Sequence, residues 1–357
     1  MPTQVPCRLL ARSLILLAMA AFTPAWSASD NPNTPITMGM SLLSAPAKAG
    51  STTVFYPSSS AAREVKRGPF TMQFAPDGQV TKGNRRLVVF SHGSGGSPWP
   101  MADLARSFVE AGYIVALPEH AGDNHRDMRL AGPASWKLRP QEISQAIDDV
   151  QQDSRFAALI DFDRVGAYGT SAGGLTALVL AGGHWSPANF KRYCLAHMAE
   201  DFSACVGLAS RLKGNWSDAI KVLVAGWVHR LWFGDETLYG HQDPRIKTVL
   251  ASVPMAAPFE LTTLAKPAIA TGLVAAGQDQ WLAPRAHVGA VQAACATCTL
   301  VLDLPQAGHG SLLSPWPVEL AQSLTPMLVD PPGFARADLP MLFKKMVAFF
   351  DTQLLPN

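Results

Sequence analysis

"RVGAYGTSAGG", residues 164–174, runs from a short apolar stretch into a serine with a glycine two places to either side. The first half suits a strand, and SAGGLTALVLA (171–181) suits a helix, so Ser171 falls at the junction. A serine lifted out at so sharp a turn needs a strained backbone. Side chains two residues away on either side would collide as strand and helix close on each other. Gly169 and Gly173 remove that collision. The pattern G-x-S-x-G between a strand and a helix therefore marks Ser171 as a candidate nucleophile, and the helix start behind it offers N–H groups to a developing oxyanion. Five residues alone would also fit a glycine-rich turn with no chemistry.

Outward from this turn the chain alternates between two periodicities. STTVFYP (51–57) and FTMQFAP (70–76) read as strands, and RLVVF (86–90) is the continuous apolar run of a strand covered on both faces. Leu104, Phe108 and Ala111 recur at helical spacing before GYIVALP (112–118) returns to strand. Ile143, Ile147 and Val150 mark a helix face, with Pro140 expected in that helix's first turn. After residue 242 the beat resumes in PRIKTVLASVP (244–254), AIATGLVAAG (268–277) and CTLVLDLP (298–305), and closes on an amphipathic helix carrying Leu342, Phe343, Met346, Val347 and Phe350. Such alternation implies a mainly parallel sheet between two helical layers, an α/β fold. Residues 184–242 break the rhythm with helical patterns and Trp185, Trp216, Trp227 and Trp232. They read as a helical cap inserted into a core made of 28–183 and 243–357, with their tryptophans either packed inside that cap or, as the second reading, in direct contact with substrate.

A serine hydroxyl needs a base to take its proton and a third group to orient that base. GLVAAGQDQWLAP (272–284) delivers Asp279 at the end of one late strand, and LDLPQAGHGSLLSP (302–315) delivers His309 at the end of the next. The order Ser, acid, His along the chain fits a hydrolase of this architecture. Glu260 is the reserve acid. The glycine-rich turn in VVFSHGSGG (88–96) supplies the second half of an oxyanion hole, assigned to the backbone N–H groups of Ser94 and Ala172, with His92 supporting the loop. Trp281 and Trp316 flank the acid and base loops and are candidates to line the substrate pocket. So are His120, Asp123 and His125 in PEHAGDNHRD (118–127), whose spacing matches no standard metal site.

Arg8 and Arg12 precede an uncharged run, SLILLAMAAF, and the small residues Ala25 and Ser27, which together read as an export signal over residues 1–27. The run is too short to span a bilayer, and no stable membrane anchor is expected once it is cleaved. Its removal takes two arginines from a chain with 29 basic and 27 acidic residues, so the net charge falls from +2 to zero and no basic surface argues for nucleic acid. Cys194, Cys205, Cys295 and Cys298 remain, an even number in a periplasmic or extracellular setting. Local pairing, Cys194 with Cys205 and Cys295 with Cys298, is favoured over zinc, since no histidine stands at ligand spacing around them.

With these residues placed, the chain resembles the α/β-hydrolase superfamily, and within it a predicted dienelactone-hydrolase-like group related to platelet-activating-factor acetylhydrolases. FYP, GPF, VVFSHGSGG, GYIVALPEHAGDN, RPQEISQAIDDV, DFDRVGAYGTSAGG, DPRIKTVLASVP, GQDQWLAP and AGHG carry the resemblance over most of the mature chain. It implies a serine esterase acting on a small-molecule ester, with Ser171 as nucleophile, Asp279 as acid, His309 as base and Ser94 in the oxyanion loop. It implies neither metal nor organic cofactor. Two features depart from the pattern: Thr170 stands where relatives often have histidine, and Ser171 stands where true dienelactone hydrolases have cysteine.

Overall fold

The computed structural model describes residues 36–44, 50–207, 210–317, 320 and 328–356. The export signal read at residues 1–27 lies outside them. Twelve strands are described: β1 (Thr37–Ser44), β2 (Ser51–Ser58), β3 (Arg63–Arg67), β4 (Phe70–Pro76), β5 (Leu87–Ser91), β6 (Ile114–Pro118), β7 (Val165–Thr170), β8 (His184–Trp185), β9 (Ile246–Ser252), β10 (Phe259–Glu260), β11 (Ala270–Ala276) and β12 (Thr299–Leu304). Ten of them form one sheet in the order β12-β11-β9-β7-β5-β6-β2-β1-β4-β3. From β12 to β6 every neighbouring pair is parallel; the sheet turns antiparallel where β2 pairs with β6 and β1 with β2.

Two apolar layers sandwich the parallel part. On one face, α2 (Pro133–Gln152) and α3 (Ala172–Leu180) bury Ile143, Ile147, Val150, Leu175 and Leu178 against Val89, Ala167 and Val249. On the other, α1 (Ala102–Glu110) and the last described helix, α7 (Leu339–Leu354), bring Leu104, Phe108, Phe343, Met346 and Phe350 onto Val88, Phe90 and Leu250. Burial on both faces explains why β5 reads as an unbroken apolar run.

Two sequence expectations shift. Pro140 is not in a first turn: α2 starts at Pro133 and holds Pro140 in its interior. The missing hydrogen bond is tolerated because Trp136, Pro140, Ile143, Ile147 and Val150 form one buried face, so packing outweighs the local defect. The sheet also extends to the N-terminal side of residue 51: β1, and β3, which pairs with the expected strand β4, are strands that the alternation did not reveal.

Residues 184–242 hold β8, α4 (Pro187–His197), α5 (Phe202–Val206) and α6 (Ser217–Trp232). Short β8 pairs with β10, and Ser186 caps α4 by accepting the Asn189 N–H. Of the four tryptophans expected inside this segment only Trp185 is core, edge-on to Trp136 at 5.5 Å. Trp216, Trp227 and Trp232 are 82%, 63% and 77% exposed, because α6 buries only a narrow strip, Gly226 and His229, toward its neighbours.

Cys194 is joined to Cys205 and Cys295 to Cys298, the two local pairings expected. The first ties α4 to α5, with an 11-residue separation; the second closes a separation of 3. Loop-closure entropy sets the expected outcome of their removal. Replacing Cys194 and Cys205 together by alanine lowers stability by about 3 kcal/mol, and replacing Cys295 and Cys298 by about 2 kcal/mol. Urea unfolding midpoints of the two double variants check the ranking.

Candidate active site

The residue after β7 sits in a conformation that side chains rarely adopt: Ser171 has φ 59° and ψ −119°. Such a backbone costs on the order of 1–3 kcal/mol, so the surroundings must hold it. They do so from three sides. Ser171 N–H donates to the Ser252 carbonyl at the end of β9, Met255 N–H donates to the Ser171 carbonyl, and Leu175 N–H bonds the same carbonyl from within α3. The glycines earn their places by close approach. A Cβ on Gly169 would lie 1.9 Å from the Gly173 carbonyl oxygen, and one on Gly173 would lie 1.9 Å from the Ser91 carbonyl oxygen. The crowding at Gly173 thus comes from neighbouring strand β5, not from β7 alone.

Asp279 and His309 meet at the C-terminal ends of adjacent strands. His309 Nδ1 donates to Asp279 Oδ2 at 2.7 Å, and both side chains are buried. Asp279 Oδ1 accepts the N–H groups of Trp281 and Leu282, which fixes the carboxylate so that its other oxygen faces the imidazole. With Nδ1 committed as donor, neutral His309 keeps Nε2 free of hydrogen and able to accept a proton. The Trp281 ring stacks on His309 at 5.7 Å. Among the described residues no hydrogen bond joins Ser171 Oγ to the imidazole; such bonds commonly tighten only on substrate binding. Glu260 is engaged elsewhere, accepting from the Thr262 hydroxyl.

The loop after β5 lies against Ser171: a Cβ on Gly93 would come within 3.3 Å of Ser171 Cβ. This places Ser94 beside Ser171, while Ala172 opens α3 behind it. The Ser94 hydroxyl itself turns away and donates to Asp123 at 2.6 Å. His92 supports the loop from within: its Nε2 accepts the His120 N–H and its Nδ1 donates to the Gly93 carbonyl.

Two expected cleft residues lie elsewhere. His120 is fully buried, with Nε2 bonded to Ser91 Oγ at 2.8 Å and Nδ1 to Glu142 at 2.6 Å, so it holds β5 and α2 together and does not face substrate. Asp123 is likewise fully buried, paired with Arg139 at 2.8 Å. Partly exposed His125 donates its N–H to the Gly96 carbonyl. Trp316 lines a cavity of about 520 Å³ with Lys66, Pro69, Thr71 and two prolines, and its buried indole N–H has no partner among the described residues. A cavity of about 380 Å³ lies against the acid loop, between Asp279, Gln280 and Asp201, Phe202, Arg211 and Leu212.

Sequence reading missed Arg139, Glu142, Asp201 and His287. His287 Nε2 donates to Asp201 Oδ2 at 2.8 Å while its Nδ1 accepts the Ala256 N–H, and Asp201 Oδ1 accepts the Ala283 N–H. The segment carrying α4 and α5 is thereby bonded to the acid loop and to the residues after β9. No local pattern announces such partners, since each pair joins residues far apart in the chain.

The buried polar groups are displaced from their ordinary titration. Burial holds His92 and His120 well below the usual histidine range, helped at His92 by the His120 ring and at both by the Arg139 charge. Burial alone would raise Asp123, but Arg139 and the Ser135 and Ser94 hydroxyls outweigh it and hold it at about 2. The signs differ. Asp123 contributes stability that is present above about pH 3.9 and lost as pH falls toward 2. The two histidines stay neutral where the unfolded chain takes up protons, so each withdraws roughly 1.4 kcal/mol per pH unit once pH falls below about 6.5. Urea midpoints measured at constant ionic strength are therefore expected to fall between pH 7.5 and pH 5.5; a flat profile would contradict the neutral, buried imidazoles.

No family model matches the chain. Dipeptidyl peptidase 8 of mouse and of human is 30% identical over 73 residues, which is 20% of this chain and 8% of that protein's length. A ferulic acid esterase from Streptomyces cinnamoneus superimposes with a TM-score of 0.55 at 15% identity, covering 92% of each chain. Likeness over nearly the whole of both chains, with a sheet parallel from β12 to β6 and a strained serine turn after β7, gives this protein the α/β-hydrolase fold.

Proposed function

We propose that this chain is an exported serine hydrolase of the dienelactone-hydrolase-like and platelet-activating-factor-acetylhydrolase-like kind, cleaving carboxylic esters through an acyl-enzyme. The observation that carries the reading is the Asp279–His309 hydrogen bond of 2.7 Å, formed at the ends of β11 and β12, which follow β7 and β9 in the parallel part of the sheet. Ser171 Oγ attacks the ester carbonyl carbon while its proton passes to His309 Nε2. The carbonyl oxygen, now negative, is received by the N–H groups of Ser94 and Ala172. The C–O bond breaks as His309 returns the proton to the leaving alkoxide, and an alcohol departs. Water then attacks the acyl carbon, giving its proton to His309, and the carboxylic acid leaves as Ser171 recovers its hydrogen. Asp279 holds the imidazole in the productive tautomer throughout.

Residues 184–242 act in this reading as a cap beside the cleft. Trp281 stacked on the His309 ring favours apolar acyl or alcohol groups. The two disulfides suit a periplasmic or extracellular setting. The structural likeness to a ferulic acid esterase recommends esters of aromatic acids among the first substrates, and the short stretch shared with a peptidase recommends amides as the control.

A fluorophosphonate probe is expected to label the protein at Ser171, and p-nitrophenyl esters to turn over far faster than the matching anilides. Ser171→Ala is expected to lower kcat by at least about 10⁴-fold and Asp279→Asn by about 10²–10⁴-fold, with little change in KM. Full turnover by folded Ser171→Ala would discard the assignment.

A further inference from the structure

The peptide between Gly93 and Ser94 decides where the Ser94 N–H points. In a planar trans peptide the carbonyl and the N–H lie on opposite sides, so fixing one aims the other. The Gly93 carbonyl is held by three donors: His92 Nδ1 at 2.7 Å, Gly96 N–H at 3.0 Å and, more weakly, Arg139 Nη2 at 3.4 Å. The preceding carbonyl, that of His92, takes Arg139 Nη1 at 2.6 Å. Two successive carbonyls are thus turned toward one guanidinium beneath the loop. Just beyond them, Asp123 Oδ1 takes the Ser94 hydroxyl at 2.6 Å and the Gly95 N–H at 3.0 Å.

Arg139 and Asp123 are bonded to each other and have no exposed side-chain surface. Ser135 completes the carboxylate's shell, and Arg139 Nε also reaches Ser135 Oγ. Among the described residues neither group is hydrogen-bonded to Ser171. Their shared feature is a grip on the polar groups on both sides of the Ser94 N–H, which itself stays out of the network. A buried pair of this kind is expensive to desolvate and contributes little net stability over apolar packing, so stability alone does not explain its placement.

We infer that the Arg139–Asp123 pair is a positioning device for the oxyanion hole: gripping residues 92–95 from below, it turns the Ser94 N–H toward Ser171. This deepens the esterase reading and rests on it. Asp123 and Arg139 are positioning residues; the atom that meets the substrate is the Ser94 backbone nitrogen. Ser94 therefore serves twice, its N–H as donor and its hydroxyl as anchor.

The test compares wild type with Ser94→Ala and Asp123→Asn. Ser94→Ala keeps the N–H and removes only the anchor; Asp123→Asn keeps the shape and removes the charge. For a p-nitrophenyl ester, kcat is expected to fall about tenfold in Ser94→Ala and about a hundredfold in Asp123→Asn, with KM within twofold of wild type. The inhibition constant of a trifluoromethyl ketone, which forms an oxyanion on the serine, should rise by the same factors. Active-site titration normalises each rate to folded enzyme, so destabilisation alone cannot imitate the result. If Asp123→Asn does not fold, Ser94→Ala decides. Variants that keep kcat and the ketone's inhibition constant within twofold of wild type overturn the positioning role while leaving the esterase reading intact. A wild-type protein with neither ester turnover nor fluorophosphonate labelling overturns that reading, and this inference falls with it.

Discussion

The turn at Ser171 exists because nothing larger than hydrogen stands on the α-carbons of Gly169 and Gly173. At 1.9 Å, a methyl group at either position would overlap a backbone oxygen, and backbone in the middle of a ten-stranded sheet has nowhere to move. From that steric fact the rest follows. Strand β7 can end abruptly, α3 can start within one residue, and the serine between them is pushed into a positive φ that leaves its hydroxyl outside the helix. The strain is borne by the hydrogen bonds from Ser252, Met255 and Leu175, all of them backbone, so the turn depends on the sheet more than on any side chain.

Around this rigid point the protein buries titratable groups in two clusters. One, under the loop after β5, joins Asp123, Arg139, His92, His120 and Glu142; the other, behind the acid loop, joins Asp201 to His287. Both tie segments distant in sequence, and both end on backbone N–H or carbonyl groups next to residues proposed for chemistry. Burial makes these groups costly unless every one finds a partner, and the hydrogen bonds around them supply partners on nearly every side. The consequence is loops that behave as extensions of the sheet.

Among the described residues α6 gathers exposed apolar side chains, Ile220, Leu223, Val224, Trp227, Leu231 and Trp232. The helix binds the remainder of the chain through few buried groups, among them His229, whose Nε2 donates to the Cys205 carbonyl. Periodicity alone could not show which side of this helix would be covered. Its sequence is apolar nearly all round, so a reading that packs the tryptophans inward and one that leaves them outward have the same pattern.

Sequence by itself determined the α/β alternation, the strand-to-helix turn at Ser171, the late loops carrying Asp279 and His309 and the two local cysteine pairs. Each of these is written in neighbours a few residues apart: a period of two or 3.6, a glycine beside a serine, cysteines close enough to close a short loop. Tertiary structure alone decided that His120 and Asp123 support the loop after β5 from inside, that Pro140 sits within α2, that three tryptophans of residues 184–242 face solvent, and that Asp201 bonds His287 across 86 residues. The reason is physical. A buried hydrogen bond is chosen by whichever groups the packing of helices on the sheet leaves without water, and that choice is made only when the chain has closed on itself.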